Sequence, residues 1–340
     1  MAWAKRAIFF GQSSQFDGFG SPVRLFICYV ARLCRYVICF PSRMKIAILG
    51  KPFDDEAAPA IQALLDDLAA RGAEVRIGES FRTFLDNRLR LPEGTTEFRR
   101  GDSLRGVQFV LSIGGDGTLL DTVTYVGSLQ IPILGIHTGR LGFLATVTPD
   151  RTAQAIDALY KGHFTIEERS LIRVDTDPDV FGSLNFGLNE FSVLKRDTSS
   201  MIIVHTYIDG EYLNSYWADG LVVATPTGST GYSLSCGGPV MLPQTNNFII
   251  APVCPHNLNV RPLVVSDQSV ISFEIESRST SYMLSLDSRS LPVEASVQIA
   301  VRRESFNARL VKLNHVNFLS TLRSKLNWGL DRRNPAGIQL

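Results

Sequence analysis

The sequence carries almost no imbalance of charge, with 34 Lys and Arg against 33 Asp and Glu in 340 residues. A duplex-binding protein presents a strongly basic face, so no nucleic-acid partner is expected. Cysteine is sparse and unpatterned. Of the five, Cys28, Cys34 and Cys39 crowd together near the start, while Cys236 and Cys254 stand alone, with no CxxC and no metal-ligand spacing. This argues against a disulfide framework and fits a reduced, cytoplasmic setting. Long clean apolar runs are also missing. Residues 23–40 come nearest, but Arg24, Arg32 and Arg35 interrupt them, and arginine near the centre of a membrane span is costly. Phe40-Pro-Ser-Arg43 offers no signal-peptide cleavage site. Met44-Lys-Ile-Ala-Ile-Leu-Gly50 then starts as a first buried strand would. Residues 1–43 therefore read as a non-native or disordered extension, with Met44 expected as the true start, and no membrane partner is expected. The competing reading is an amphipathic, basic helix lying on a membrane surface.

What is present is an apolar fraction of 45%, enough to bury two sizeable cores. From residue 45 the pattern alternates between strand and helix. Residues 45–49 are a short apolar run, Asp54 and Asp55 offer helix-capping chemistry, and Ile61, Leu64, Leu65 and Leu68 recur at helical spacing. Residues 73–77, 107–113 and 131–136 read as further strands, and residues 118–126 and 153–160 as helices. The polar, arginine-rich stretch 80–105 reads as a loop or weak helix. Such alternation predicts a Rossmann-like parallel α/β domain over residues 44–150. Beyond that the texture becomes short and β-rich, punctuated by turns such as Asp209-Gly210, which predicts an all-β, sandwich-type domain over residues 151–313. Residues 309–313 are counted among its strands. Phe318, Leu319, Leu322 and Leu326 return to helical spacing, so residues 314–340 are expected to pack back on the first domain.

Between a buried strand and a helix stands Gly114-Gly-Asp-Gly-Thr118. Glycines there let the backbone approach a ligand, and the N–H groups of the helix start suit phosphate. Asp116 would put a carboxylate beside that phosphate, where it can take a proton from an attacking hydroxyl. A tight structural turn is the plain alternative. A dinucleotide fingerprint beginning at Gly115 fails at Leu120, and no G-x-x-x-x-G-K-[ST] occurs, so this is neither a hydride-transfer signature nor a P-loop. Farther on, Asn189 and Glu190 combine an amide with an acceptor-only carboxylate, a set suited to two ribose hydroxyls. Residues 225–235 form a hydroxyl- and glycine-rich loop with a single aromatic, Tyr232, whose ring offers adenine a stacking face.

Together these residues resemble the NAD kinase family. Gly114-Gly-Asp-Gly-Thr118 is similar to a motif that family shares with diacylglycerol and sphingosine kinases and, more loosely, phosphofructokinases. The stretch from His137 to Ala145, the Leu188-Asn-Glu190 triplet, the block from Ala218 to Pro239 and Cys254-Pro-His-Asn-Leu-Asn-Val-Arg-Pro-Leu-Val264 resemble the family alone. His137 stands where asparagine is usual and Gly231 where alanine is usual. The resemblance implies transfer of the γ-phosphoryl of ATP to the 2′-hydroxyl of the adenosine ribose of NAD, with a divalent metal, Mg2+, as cofactor. It implies Asp116 as general base, and a dinucleotide site of Asp116, Gly117, Asn189, Glu190, Asp219, Thr230, Gly231, Tyr232, Ser233, Leu234 and Ser235. No metal-ligating residue is assigned, and a homo-oligomer, dimer or tetramer, is implied. Without a P-loop lysine, phosphate charge falls to the metal, the glycine-turn N–H groups and Arg140 as a candidate. His256 and Arg261 match the family but read as structural, and Arg289 stands where many members place a ligand-touching amide. A lipid kinase sharing the glycine motif, and a non-catalytic dinucleotide sensor, are the two rival readings.

Overall fold

The computed structural model describes residues 43–196, 201–277, 281–294, 296–313 and 317–328. The expectations for the leader fall outside the described residues, apart from Arg43, as do those for the last dozen residues. In chain order the strands are β1 Lys45–Gly50, β2 Glu74–Gly78, β3 Thr96–Phe98, β4 Phe109–Gly114, β5 Ile133–His137 and β6 Phe164–Arg169. They continue as β7 Ile172–Asp177, β8 Phe186–Gly187, β9 Glu190–Lys195, β10 Ile202–Ile208, β11 Glu211–Ala218, β12 Gly220–Ala224 and β13 Asn247–Val253. The last six are β14 Leu263–Ser266, β15 Ile271–Ser277, β16 Ser281–Leu286, β17 Arg289–Glu294, β18 Gln298–Arg303 and β19 Ala308–Leu313. The helices are α1 Ala58–Ala70, α2 Glu79–Asp86, α3 Asp116–Val126, α4 Thr152–Lys161, the single turn α5 Tyr232–Ser235, and α6 Phe318–Leu326. Among the described residues none is long and apolar enough to cross a membrane.

The first sheet has seven strands in the order β3-β2-β1-β4-β5-β19-β6. All its pairs are parallel except β19 with β6. Both faces are covered, which is why its central strands read as continuous apolar runs. Ile46 and Ile48 of β1 join Ile61, Leu64, Leu65 and Leu68 of α1 and Ile156 and Leu159 of α4 on one face. Ala47 and Leu49 point the other way, into a cluster with Leu119, Val123 and Val126 of α3. Within residues 80–105 the short helix offered as one of the two readings is present as α2, and the strand β3 is an addition that was not expected. Phe81 and Leu85 give α2 a buried face, and β3 closes the sheet edge by pairing with β2. The capping expectation fails: Asp54 makes no side-chain cap, and α1 is entered through a short 3-10 turn with Pro59 in its first turn.

Two six-stranded antiparallel sheets, β11-β10-β15-β18-β7-β8 and β14-β13-β12-β9-β16-β17, pack face to face. Val204, Phe273 and Val301 from one meet Phe191, Val223, Phe248 and Leu284 from the other. Asp209 and Gly210 both take positive φ between β10 and β11, as a two-residue hairpin turn requires. The strand at residues 308–313 belongs elsewhere than the sequence pattern placed it. It leaves the sandwich to run beside β5 in the first sheet, and β6 joins it there. An alternating apolar strand reports that one face is buried and not against which sheet. After β19 the chain reaches α6, where Phe318 and Lys325 sit over the ring of Phe143 from the first domain.

Candidate active site

The strand order reverses between β1 and β4, because the chain passes from β1 to β2 and β3 on one side and returns to β4 on the other. In a doubly wound sheet such a point opens a crevice beyond the carboxyl ends of the strands. The glycine turn sits there. Gly114 ends β4 with φ +150, and Gly115 opens α3 without any side-chain cap, so the first N–H groups of that helix remain for a ligand.

Asp116 is held by the segment that follows β5. Its Oδ2 accepts the N–H of Phe143 at 2.7 Å, and its Oδ1 accepts those of Leu144 and Ala145 at 3.0 Å each. A carboxylate has roughly four acceptor positions, so one on Oδ2 stays open. Gly142 makes this approach possible, since a Cβ there would lie 1.9 Å from Oδ1. His137, in the same segment, is buried, with Nδ1 against the Gly139 carbonyl at 3.0 Å and Nε2 without a partner. Arg140 is exposed.

The ribose-type pair lies on the sandwich side of the crevice. Leu188 is buried in the same cluster as Leu119, which brings Asn189 and Glu190 to the first turns of α3. Asp287, at positive φ in the turn between β16 and β17, fixes their backbone. It accepts N–H groups from Leu188 at 2.8 Å, Asn189 at 2.8 Å and Glu190 at 3.2 Å. The Glu190 carboxyl is pushed up to about 7, chiefly by burial and next by the Asp287 charge, while the N–H of Tyr232 works the other way. Burial also raises Asp287, but its three N–H donors suit a carboxylate. Glu190 Oε2, by contrast, is buried without a partner, so Glu190 is the acid of the two that takes the proton. Gly231 leaves room for it, as a Cβ there would stand 2.8 Å from Oε2.

The hydroxyl-rich loop divides into a buried half and an open half. Thr225 Oγ1 donates to the Leu188 carbonyl at 2.6 Å, and Ser229 Oγ donates to Pro226 while accepting from Met241 N. Arg169, buried and paired with Glu167 at 2.9 Å, donates to Thr227 Oγ1 at 3.1 Å, which ties the loop to the end of β6. Thr230 Oγ1 donates to the Thr227 carbonyl at 3.3 Å. Ser233 is fully buried, its Oγ without a partner, whereas Tyr232 and Ser235 are exposed and Leu234 is partly so. The Tyr232 phenol is raised by burial and then by Cys236, Cys254 and Asp219. Asp219 pairs with Lys195 at 2.7 Å.

Arg289 does not face the crevice as a ligand-touching amide would. Its guanidinium donates to the carbonyls of Leu184 and Phe186 and so braces the strand leading to Asn189. Arg261 donates to the carbonyls of Leu258 and Val260, and His256 is held by a backbone bond to Trp217. Two residues escaped the sequence reading. Asp287 is 97 to 99 positions from the backbone it organises, so no local spacing reveals it. Lys51 follows β1 and pairs with Asp121 of α3 at 2.7 Å, and Asp121 also accepts from Ser288 Oγ at 3.3 Å.

Residues 46–164 match the model of the ATP-NAD kinase N-terminal domain, and residues 188–313 that of the ATP-NAD kinase C-terminal domain. The chain is similar to an NAD kinase of Cytophaga hutchinsonii, 52% identical over 292 residues, covering 86% of this chain and 100% of that one. An NAD kinase of Bacteroides fragilis is 41% identical over 291 residues, covering 85% and 100%. Among solved structures, an Archaeoglobus fulgidus NAD kinase in complex with ATP superposes with TM-score 0.62 at 26% identity, covering 84% of this chain and 99% of that one. Yeast NADH kinase complexed with NADH shares the fold, with TM-score 0.74 at 22% identity, covering 85% and 89%.

Proposed function

The chain belongs to the ATP-NAD kinase family, and from that premise we propose that it transfers the γ-phosphoryl of ATP to the 2′-hydroxyl of the adenosine ribose of NAD. The observation that carries the reading is Asp116, held by three N–H groups at the mouth of the switch-point crevice with one acceptor position open. The ribose 2′-oxygen attacks the γ-phosphorus as the bond to the β-phosphate oxygen breaks. The leaving group is ADP, and the hydroxyl proton passes to Asp116 and on to solvent. Such transfers run through a loose transition state, in which orientation and charge stabilisation do most of the work. Asn189 and Glu190 fix the ribose. Gly117 and the start of α3 offer N–H groups to phosphate. Asp219, Thr230, Gly231, Tyr232, Ser233, Leu234 and Ser235 frame the rest of the dinucleotide, with Tyr232 exposed for stacking.

Among the described residues no three His, Cys, Asp or Glu converge as a resident metal site. In this reading a divalent cation arrives chelated by the phosphates of ATP, as part of the substrate. The free thiols of Cys236 and Cys254 suit a reduced, cytoplasmic setting. The test is Asp116→Asn, which keeps the size of the side chain and one acceptor oxygen for the Leu144 and Ala145 N–H groups, gives up the Phe143 contact to an NH2 donor, and removes the base. NADP formation should fall by about 10²-fold or more in a variant that remains folded by circular dichroism. Activity within a few-fold of the parent would rule out the base assignment. A lipid kinase or a silent sensor gains no observation here: both NAD-kinase domain models match within one chain, and the acid is in place.

A further inference from the structure

Without a P-loop lysine, something else must meet the negative charge of the nucleotide tail. Besides the exposed Arg140, four cations near the crevice are already engaged by other groups. Arg169 is buried on Glu167 and Thr227. Arg289 is committed to two carbonyls. Arg100 lies over the Tyr125 ring and donates to Thr124. Lys195 pairs with Asp219 at 2.7 Å. Lys51 differs from all of these in position and in the strength of its attachment.

Gly50 is in register with Ile113, and the N–H of Lys51 donates to the Ile113 carbonyl at 3.1 Å. Lys51 thus leaves β1 directly opposite Gly114, where the glycine turn leaves β4. The two strands are the neighbours between which the order reverses, so this lysine and the glycine turn form the two lips of one crevice. Its ammonium reaches across to Asp121, a little over one turn into α3, at 2.7 Å. That ion pair is 56% exposed on the lysine side and 34% on the aspartate side. A pair so open is weak and easily screened. A polyphosphate carries several charges where Asp121 offers one, and it would draw the ammonium away from its partner. Asp121 would keep its contact from Ser288 when that happens.

We propose that Lys51 binds the triphosphate tail of the donor nucleotide, with Asp121 holding it in place while the crevice is free. The inference rests on the kinase reading above. It assigns the phosphate-binding cation to the residue that directly follows the first strand.

The test compares the wild-type protein with Lys51→Met and Lys51→Arg in two measurements. In the first, NADP formation is followed with ATP varied at saturating NAD, and then NAD varied at saturating ATP. In the second, binding of the non-hydrolysable analogue adenylyl imidodiphosphate is measured by calorimetry, which needs no turnover. Lys51→Met should raise the KM for ATP and the Kd for the analogue about tenfold or more, because a charge-assisted contact is lost. The KM for NAD should stay within about twofold, and Lys51→Arg should recover most of the loss. An unchanged Kd for the analogue overturns the proposal, as does a rise confined to NAD. Lys51→Gln replaces the methionine variant should that one fold poorly. A wild-type protein that binds the analogue but makes no NADP would count against the kinase reading and leave the Lys51 assignment to be judged on binding.

Discussion

At the scale of single residues, the site is governed by two acids that share a buried corner. Asp287 spends its oxygens on the backbone of Leu188, Asn189 and Glu190, and Glu190 is left with a raised carboxyl and an oxygen without a partner. Ribose hydroxyls donate best to an ionised carboxylate, so NAD binding should favour loss of the Glu190 proton. The KM for NAD is then expected to climb as pH drops below about 7, and Glu190→Gln should weaken binding but flatten that dependence. Initial-rate profiles across pH check both parts, and a slope that survives in Glu190→Gln would assign it to another group. The stability consequence has a definite sign. A carboxyl whose folded value is raised from 4.5 to about 7 binds its proton more tightly in the folded state, so stability falls as pH rises through that window. Above it, Glu190→Gln should raise Tm by a few degrees.

At the scale of elements, catalysis depends on how the segment after β5 lies against the start of α3. The glycine turn was legible in the sequence because everything that defines it is contiguous, a buried strand, three glycines and a helix. Its anchoring was not. The N–H groups of Phe143, Leu144 and Ala145 are ordinary backbone, and nothing in their side chains announces that they hold a carboxylate 27 to 29 positions away. Gly142 is the one readable trace, a glycine with an acid against it. Gly142→Ala should push the Asp116 carboxylate from its seat and lower kcat by about 10²-fold, the cost of misplacing a reacting group by about an ångström. The KM for ATP should change little, and unaltered kinetics would show that the segment yields instead. The loop at residues 225–235 shows the same limit. Its hydroxyls read as a ligand surface, but Thr225, Thr227 and Ser229 are buried and hold the loop to Leu188, Arg169 and Met241.

At the scale of the whole molecule, alternation of strand and helix made the parallel domain visible, and short alternating strands made the sandwich visible. The crossing back was hidden. β6 and β19 carry the same kind of pattern as sandwich strands, and only long-range pairing assigns them to the first sheet. Asp287 and Lys51 were hidden for a related reason, since each acts on a partner distant in sequence, Asp287 on the entry to the neighbouring strand β9 and Lys51 on α3. The sandwich also has an open edge. β14 ends its sheet with Leu263 and Val264 exposed, and Leu258 nearby is 84% exposed. Uncovered apolar edges favour self-association, so a dimer or tetramer is expected by light scattering, and a monomer at micromolar concentration would exclude it. The central claim concerns one bond, the phosphate ester at the 2′-oxygen of the adenosine ribose. Incubating the protein with ATP, Mg2+ and NAD and locating the new phosphate by phosphorus NMR tests it most directly. The account predicts one product, phosphorylated at the 2′ position and reducible by an NADP-specific dehydrogenase. A phosphate at any other oxygen, or ATP turnover without a phosphorylated dinucleotide, would contradict it.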